Sequence, residues 1–241
     1  MTTAIIVQAR MGSTRLPGKI MKKVLDKPLL EYQLERLLRV KLADKVIIAT
    51  TDNGEEQPIV DLCHRLGVPY FRGSEQDVLA RYYGAATEYC ADVVVRITSD
   101  CPLIDPAVVD KVIGFYLAHK EEYDYAANIL YPRGMDTEVF SYNALKESHK
   151  EAVDDAEREH VTIFIKRRPE RYKIKTLPYE KDCSQYRWTV DTPEDFMLIE
   201  KIISTIYPVN PHFTLEDCLK LIAENPEWIK INAHIKQKMV I

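Results

Sequence analysis

A short stretch near the N-terminus combines glycines, cations and hydroxyls in a spacing suited to binding a polyphosphate. It runs Gln8-Ala9-Arg10-Met11-Gly12-Ser13-Thr14-Arg15-Leu16-Pro17-Gly18-Lys19. Only 8 of the 241 residues are glycine, and Gly12 and Gly18 both lie here. Glycines let the backbone approach an anion closely, with its N–H groups pointing inward. The stretch therefore predicts a phosphate-binding loop, in which the charge would be neutralised by Arg10, Arg15 and Lys19.

This loop matches neither of two familiar phosphate-binding patterns. A P-loop has four residues between its glycines and Ser or Thr after the lysine, whereas five residues separate Gly12 from Gly18, and Ile20 follows Lys19. The Gly-x-Gly-x-x-Gly pattern of dinucleotide-binding folds is also absent. An ordinary turn with solvated cations remains the alternative interpretation of the loop.

Two aspartates follow β-branched stretches and are candidate magnesium ligands. Asp100 ends Arg96-Ile97-Thr98-Ser99-Asp100, with Pro102 close behind it. Asp191 follows Trp188-Thr189-Val190. Mg²⁺ in proteins usually takes one or two carboxylates plus substrate phosphates, so this pair would suffice. A turn-capping role is the alternative for Asp100.

The residues after Asp191 have a structural interpretation of their own. Thr192 is a suitable N-cap, Pro193 a suitable first helical residue, and Glu194 and Asp195 favour the helix dipole. This cap leaves the Asp191 side chain available for a metal ion.

The elements that must position these residues alternate in the first half of the chain. Short β-branched runs alternate there with amphipathic stretches, which is typical of βαβ units and a mostly parallel sheet. We predict strands at 3–9, 45–50, 69–72 and 93–98, and helices at 29–40, 55–66, 76–90 and 105–119, with Asp105 as an N-cap. Ligands bind at the carboxyl ends of such strands.

The pattern changes beyond about residue 124. We predict strands at 125–129, 172–177 (exposed and antiparallel) and 185–190 (returning to the sheet), and helices at 141–150, 155–166, 193–205 and 215–224. The sequence thus predicts one α/β domain over residues 1–241 with an inserted lobe at about 125–180.

Composition and cysteine usage limit the class of protein. With 33 Lys+Arg against 37 Asp+Glu the net charge is −4, which argues against general nucleic-acid binding. The five cysteines form no Cys-x-x-Cys pair, which favours a reduced cytoplasmic setting without disulfides or zinc. The apolar run before Arg10 is too short for a signal-peptide core, and no run of 18 apolar residues occurs, so we expect no membrane association.

The stretch Ala-Arg-x-Gly-Ser-x-Arg-Leu-Pro-Gly-Lys resembles the N-terminal signature of the sugar-acid cytidylyltransferases. This family includes CMP-KDO synthetases, CMP-sialic acid synthetases and the spore coat polysaccharide biosynthesis protein F group, and the resemblance covers nearly the whole chain. It implies a three-layer nucleotide-diphospho-sugar transferase (GT-A-like) fold. It also implies that the loop holds the triphosphate of CTP through Ala9, Arg10, Gly12, Ser13, Arg15 and Lys19.

The resemblance extends to the two aspartates. The family has Gly-Asp-x-Pro-Leu-Ile where this chain has Ser99-Asp100-Cys101-Pro102-Leu103-Ile104, and Ser99 replaces the glycine. It implies that Asp100 and Asp191 hold Mg²⁺ and that Arg15 and Lys19 stabilise the leaving pyrophosphate.

Base-side and sugar-side candidates complete the predicted site. Residues 73–81 occupy the position of the family's Ser-Gly-Thr-Glu-Arg-Leu-Ala segment; Ser74 and Asp77 correspond, whereas Glu75, Gln76 and Val78 depart from it. His160 lies in a stretch similar to one that contacts the sugar in CMP-KDO synthetases, with a purely structural role in its helix as the alternative. Asp136 and Glu138, close to Gly134, are candidates for binding sugar hydroxyls, with solvated loop charges as the alternative.

The predicted reaction is transfer of CMP from CTP to a sugar acid of the 3-deoxy-ulosonic or nonulosonic type, for surface polysaccharide synthesis. Alternatives are a GT-A-type glycosyltransferase, another sugar nucleotidyltransferase, or a non-catalytic nucleotide-binding protein. The chain has no Asp-x-Asp after a central strand, and it lacks a Gly-Gly-rich opening. The family also implies a homodimer formed through the inserted lobe, where we note Tyr125, Tyr131, Phe140, Tyr142, Phe164, Tyr172 and Tyr179 as candidate interface aromatics.

Overall fold

The computed structural model describes residues 1–236 of the chain. Its strands alternate with helices along most of its length, as the apolar periodicity predicts. The strands are β1 (Thr3–Gln8), β2 (Lys23–Val24), β3 (Lys27–Pro28), β4 (Lys45–Thr51), β5 (Tyr70–Gly73), β6 (Val93–Thr98), β7 (Tyr125–Ile129), β8 (Glu138–Ser141) and β9 (Ile174–Pro178).

Strands β2 and β3 form a separate two-stranded sheet, and the helices lie on both faces of the main sheet that the other strands form. They are α1 (Leu29–Leu37), α2 (Gln57–Leu66), α3 (Val78–Glu88), α4 (Pro106–Ala118), α5 (Tyr142–Glu151), α6 (Asp155–Glu159), α7 (Ile163–Lys166), α8 (Pro193–Ile206) and α9 (Leu215–Glu224). Three short 3-10 helices occupy Lys19–Met21, Gly54–Glu56 and Pro226–Ile231. None of the helices in residues 1–236 is long and apolar enough to span a bilayer.

Seven strands form one sheet in the order β5-β4-β1-β6-β8-β7-β9. Only β8 runs against the others, since it pairs antiparallel with both β6 and β7, and the remaining pairs are parallel. This confirms the predicted mostly parallel α/β sheet. Strands β7, β8 and β9, all within or at the edge of residues 125–180, extend this same sheet.

Both faces of the sheet are buried, which explains why its central strands are apolar throughout. Ile5 and Val7 of β1 face the helices α1, α2 and α4, whereas Ala4 and Ile6 face α3, α5 and α7. A third apolar cluster joins α8 and α9 to Trp188. Helices on both faces make the three-layer arrangement expected from the sequence.

Three predicted elements differ from the structure. The predicted helix 155–166 is broken into α6 and α7 because Val161 has a left-handed φ of 44°. Strand β9 lies at the edge of the sheet and is largely exposed, as predicted, but it pairs parallel with β7 rather than antiparallel.

The third difference is at 185–190, which is not a strand of the sheet. Among the described residues its β-type pairing is limited to an isolated bridge to Arg133. Its alternating apolar residues, Trp188 and Val190, pack instead into the α8–α9 cluster. A period-two pattern specifies which side chains are buried, not which strand the backbone pairs with.

Candidate active site

The carboxyl ends of β1 and β6 lie side by side and open into a cleft of about 940 Å³. Its floor includes Gln8, Arg96 and Thr98; its walls come from the loop after β1, the start of α3, and α6. The predicted residues that line it are Ala9, Arg10, Gly12, Ser13, Arg15, Lys19, Asp100, His160 and Asp191. A second depression, of about 810 Å³ beside edge strand β5, contains none of the predicted site residues.

The loop after β1 is held by local hydrogen bonds. Gly18 has φ 62°, a left-handed conformation that glycine adopts without strain, and its N–H donates to the carbonyl of Met11 at 3.1 Å. Gly18 directly precedes the 3-10 helix that begins at Lys19. The Leu16 N–H donates to Ser13 Oγ at 3.4 Å. The loop therefore curls back on itself and directs Lys19 into the cleft.

Glu56, a residue that the sequence analysis missed, anchors the start of this loop. Its buried carboxylate accepts the Met11 N–H with both oxygens, at 2.9 and 3.2 Å, and the hydroxyls of Thr51 and Thr50 at 2.8 and 3.3 Å. The signal available in the sequence is an acidic residue shortly after two threonines at a strand end, which does not reveal its partner in the loop.

The two predicted metal-binding aspartates meet at the cleft through Lys19. Lys19 Nζ lies 2.7 Å from Asp191 Oδ1 and 3.5 Å from Asp100 Oδ2. Burial alone would lower the pKa of Lys19, but the two carboxylates outweigh it and raise that pKa. The Lys19 ammonium thus occupies a position between the Asp100 and Asp191 carboxylates where a positive charge is stabilised.

Asp191 is surrounded by further cations. Arg15 Nη2 lies 3.1 Å and Arg187 Nη2 2.8 Å from its Oδ2 atom. Burial would raise the pKa of Asp191, but Lys19, Arg15 and Arg187 outweigh it and lower that pKa. The carboxylate is therefore held in its charged form.

The backbone around Asp191 explains how a distant segment reaches Asp100. The Val190 N–H donates to the carbonyl of Asp100 at 2.9 Å, which fixes the two aspartates side by side. The predicted N-cap is confirmed: Thr192 and Asp195 form a capping box at the start of α8, with Pro193 in the first turn. Arg187 ties this cap to Asp191, since its Nε also pairs with Asp195 at 2.9 Å.

Magnesium is compatible with these donors. Carboxylate oxygens are the protein ligands that Mg²⁺ prefers, and two of them suffice when substrate phosphates supply others. No group of three or more His, Cys, Asp or Glu side chains arranged to hold a metal ion occurs within residues 1–236, so Asp100 and Asp191 would act as a pair.

On the base side, the structure brings part of the predicted segment to the cleft. Glu75, Gln76 and Val78 line it, whereas Ser74 and Asp77 are not among its lining residues. Asp77 is the N-cap of α3, with Oδ1 accepting the Ala80 N–H at 2.8 Å, and its Oδ2 lies 3.3 Å from Arg158. Both oxygens of Asp77 are therefore engaged within the protein.

On the sugar side, only His160 reaches the cleft. Its pKa is lowered by burial and by the nearby cations Arg96 and Lys166, despite the opposing effect of Glu159. Asp136 is exposed and accepts the Gly134 N–H at 3.0 Å. It lies outside the cleft lining.

Glu138 is buried behind the cleft in a network of charges. Arg96 and Lys166 both form ion pairs with its carboxylate, and Tyr125 and Thr162 donate hydroxyl hydrogen bonds at 2.6 and 2.9 Å. Burial would raise the pKa of Glu138, but Arg96 and Lys166 lower it far below its ordinary value. This side chain is thus neither a solvated loop charge nor free to contact a ligand.

The fold and this site define a class of nucleotide-handling transferase, and comparison with known proteins identifies the family. Residues 4–231 match the sequence pattern of the family described as cytidylyltransferase. The chain therefore belongs to the cytidylyltransferase family, as its N-terminal signature predicts.

Individual relatives cover almost the whole chain. It is 38% identical to the uncharacterized protein MJ1063 of Methanocaldococcus jannaschii, over 97% of this chain and 95% of that protein. It is 33% identical to the spore coat polysaccharide biosynthesis protein SpsF of Bacillus subtilis, over 92% and 94%.

Two solved structures share the fold. A cytidylyltransferase from Leptospira borgpetersenii superposes with a TM-score of 0.91 at 34% identity, covering 99% of both chains. A CMP:2-keto-3-deoxy-manno-octonic acid synthetase complexed with CTP has a TM-score of 0.67 at 18% identity, covering 85% of this chain and 99% of that one. At that identity the second likeness concerns the fold alone.

Proposed function

We propose that this chain transfers CMP from CTP to a hydroxyl of a sugar acid and releases pyrophosphate. The observation that carries the proposal is the meeting of Asp100 and Asp191 beside the glycine-containing cationic loop. Membership of the cytidylyltransferase family supports the reaction type. The name of SpsF supports a role in surface polysaccharide synthesis, and the family's description as cytidylyltransferase supports a cytidine nucleotide. The N-terminal signature shared with the sugar-acid cytidylyltransferases supports a sugar acid as the acceptor.

In the proposed reaction, the acceptor hydroxyl oxygen bonds to the α-phosphorus of CTP. The bond from that phosphorus to the bridging oxygen breaks, pyrophosphate leaves, and the hydroxyl proton is released. Such reactions depend mainly on positioning and charge neutralisation. Asp100 and Asp191 would hold Mg²⁺, which when bound neutralises phosphate charge and favours deprotonation of the hydroxyl.

The chain's own residues would orient and neutralise the phosphates. The backbone at Gly12 and Ser13 lines the cleft beside Ala9 and Arg10, where a triphosphate would lie. Arg15 and Lys19 would turn from Asp191 toward the leaving pyrophosphate and stabilise its charge. His160 is the candidate contact for the sugar acid, because it lines the same cleft.

The direct test mixes the purified protein with CTP, Mg²⁺ and a panel of 3-deoxy-ulosonic and nonulosonic acids, and measures pyrophosphate. We expect release with at least one acid and none without an acid. Intact CTP binding with no release for any acid would contradict transfer to this class of acceptor. Omission of Mg²⁺ should abolish release, and Mn²⁺ should restore it in part.

We also propose a cytoplasmic homodimer. The cysteines of this chain are all unpaired, which agrees with a reducing compartment. Of the candidate interface aromatics, five are buried within the chain: Tyr125, Tyr131, Phe140, Phe164 and Tyr172. Core packing therefore accounts for them, and light scattering on the purified protein would test the dimer by its mass.

A further inference from the structure

The first turn of α8 contains a buried carboxylate that accepts hydrogen bonds from several segments. Asp195 is fully buried, and both of its oxygens have donors. Its Oδ2 atom accepts the backbone N–H groups of Asp191 and Thr192, at 3.0 and 3.1 Å. The Arg187 guanidinium donates to Oδ1 at 2.9 Å and to Oδ2 at 3.0 Å. Asp195 therefore holds both the backbone of Asp191 and a cation that contacts its side chain.

Asn232 joins this carboxylate to the C-terminal part of the described chain. It directly follows the 3-10 helix Pro226–Ile231, and only 3% of the residue is exposed. Its amide nitrogen donates to Asp195 Oδ1 at 2.9 Å and to the carbonyl of Arg187 at 2.8 Å. Both partners are acceptors, so only the NH₂ group of the amide can face them. One side chain thus binds both members of the Arg187–Asp195 pair.

The Arg187–Asp195 pair determines how the Asp191 carboxylate is oriented. Arg187 Nη2 donates to Asp191 Oδ2 at 2.8 Å. The other oxygen, Oδ1, lies 2.7 Å from Lys19 Nζ, and the same ammonium lies 3.5 Å from Asp100 Oδ2. Because Arg187 holds Oδ2, Asp191 presents Oδ1 to the space that it shares with Asp100.

Arg187 differs from the two other cations beside Asp191 in how firmly it is held. Arg15 and Lys19 belong to the phosphate loop, and in the proposed reaction both turn from Asp191 toward pyrophosphate. The Arg187 side chain is only 9% exposed, against 39% for Arg15, and it is tied to Asp195. Arg187 is therefore the cation that would keep the Asp191 carboxylate in place after ligands bind.

The residues of this network do not themselves reach the ligand. Arg187, Asp195 and Asn232 are not among the residues that line the cleft, and the last lining residue in the described chain is Asp191. Their effect on the site must therefore pass through Asp191. The C-terminal segment would contribute to the site in this way, although none of its described residues lines it.

We propose that Asn232 is a positioning residue for the metal site, because it holds Arg187 and Asp195 in the arrangement that orients Asp191. This inference rests on the proposed binding of Mg²⁺ by Asp100 and Asp191. Hydrogen-bonded partners behind a metal ligand fix its orientation, and their loss typically weakens metal binding about 10- to 100-fold.

The test measures Mn²⁺ binding by electron paramagnetic resonance at a fixed concentration of CTP, corrected for the Mn²⁺ that CTP binds without protein. Asn232→Asp keeps the shape of the side chain but replaces its two donated hydrogen bonds by a carboxylate that faces two acceptors. The matched control is Asn225→Asp, at the other end of the same 3-10 helix, where the amide nitrogen donates to the Leu221 carbonyl at 2.9 Å.

We expect Asn232→Asp to weaken Mn²⁺ binding about 10- to 100-fold and the control to bind Mn²⁺ like the wild type. Both variants should melt at a lower temperature, because each loses an amide hydrogen bond in the same segment. Equal Mn²⁺ affinity in Asn232→Asp and the wild type, or an equal loss in both variants, would overturn the positioning role. Asn232→Ala, which removes the donors without adding a charge, gives the same comparison should Asn232→Asp not fold.

A double-mutant cycle with Arg187→Lys tests whether the effect of Asn232 passes through Arg187. Lysine keeps the charge but lacks the planar fork that contacts both carboxylates. If Asn232 acts through Arg187, the loss of Mn²⁺ affinity in the double variant should be smaller than the product of the two single losses. Losses that multiply would show independent effects and contradict the proposal.

The wild type separates failure of this inference from failure of the proposed function. If the wild type binds no Mn²⁺ beyond that bound by CTP alone, the proposed metal site is contradicted, and the role of Asn232 with it. If the wild type binds Mn²⁺, Asp191→Asn loses that binding and Asn232→Asp keeps it, only the role of Asn232 is overturned.

Discussion

Lys19 Nζ lies 2.7 Å from Asp191 Oδ1, although the two residues are 172 positions apart in the sequence. The same ammonium lies 3.5 Å from Asp100 Oδ2, so one side chain joins the phosphate loop to both aspartates. In this state the carboxylates are neutralised by the protein itself. A metal ion would therefore have to displace Lys19 from Asp100 and Asp191, and the phosphates of a nucleotide would have to draw Lys19 away from these carboxylates.

Asp100→Asn should reduce turnover about 100-fold or more, because it removes a carboxylate that would hold Mg²⁺ beside the phosphates. The rate of pyrophosphate release measures the effect, and Mn²⁺ binding followed by electron paramagnetic resonance should weaken in parallel. Asp61→Asn, a change of an exposed residue in α2, serves as the matched control. Near-normal turnover by Asp100→Asn would exclude its proposed role.

Glu138→Gln should destabilise the protein by about 3–5 kcal/mol at neutral pH, because it leaves Arg96 and Lys166 without their buried partner. The free energy of unfolding in urea measures the loss. Since folding lowers the pKa of Glu138, its contribution is full above the unfolded value near 4.5 and decreases as the pH falls below it. The difference in unfolding free energy between the variant and the wild type should therefore decrease at acidic pH.

The same variant tests whether Glu138 binds substrate. A direct contact would raise the KM for the acceptor without changing stability. A structural role for Glu138 is contradicted if Glu138→Gln raises the KM for the acceptor with unchanged stability. It is also contradicted if the difference in unfolding free energy between variant and wild type does not depend on pH.

Gly134→Ala should destabilise the chain by about 1–3 kcal/mol and impair turnover. Gly134 has φ 101°, and an added Cβ would lie 2.9 Å from the carbonyl carbon and oxygen of Trp188. That contact lies three residues before Asp191, so displacement of the segment should separate the aspartates. Thermal melting and pyrophosphate release measure the two effects.

The control for that change is Gly54→Ala, where an added Cβ meets nothing within 4 Å. It should melt and turn over like the wild type. Equal behaviour of the two variants would mean that the close approach to Trp188 does not constrain the site.

Glu56→Gln should weaken CTP binding about tenfold, because an amide cannot accept the Met11 N–H with both of its atoms. The melting temperature should fall as well, since the residue is buried. Calorimetric titration with CTP gives the affinity. Glu55→Gln, at the exposed neighbouring position, should bind CTP normally; equal loss in both variants would contradict an anchoring role for Glu56.

Much of the fold follows from local patterns. The strands Val93–Thr98 and Tyr125–Ile129 and the helix Leu215–Glu224 have the predicted bounds, because their periodicity and caps depend only on near neighbours. The predicted cap at Asp105 is also confirmed, since its side chain accepts the Ala107 N–H at 2.7 Å. The prediction of a strand at 185–190 is wrong, because the pairing of a segment with the sheet depends on residues that are distant in the sequence.

The same distinction between local and distant contacts applies to the residues of the candidate site. The sequence predicts the glycines and cations of the loop and the aspartate after β6, because a strand end and the loop that follows it form one continuous stretch. The role of Glu56 and the burial of Glu138 cannot be read from the sequence, since each depends on a partner that is remote in the chain.

The sequence by itself determined the family, the mostly parallel sheet and the phosphate loop, because these arise from residue types at short, fixed spacings. Only the tertiary structure decided that Asp191 meets Asp100. A backbone hydrogen bond from Val190 to Asp100, packing of Trp188 and the Arg187–Asp195 pair together fix that approach. Packing also decided which charged residues face the cleft and which, like Glu138, are enclosed behind it.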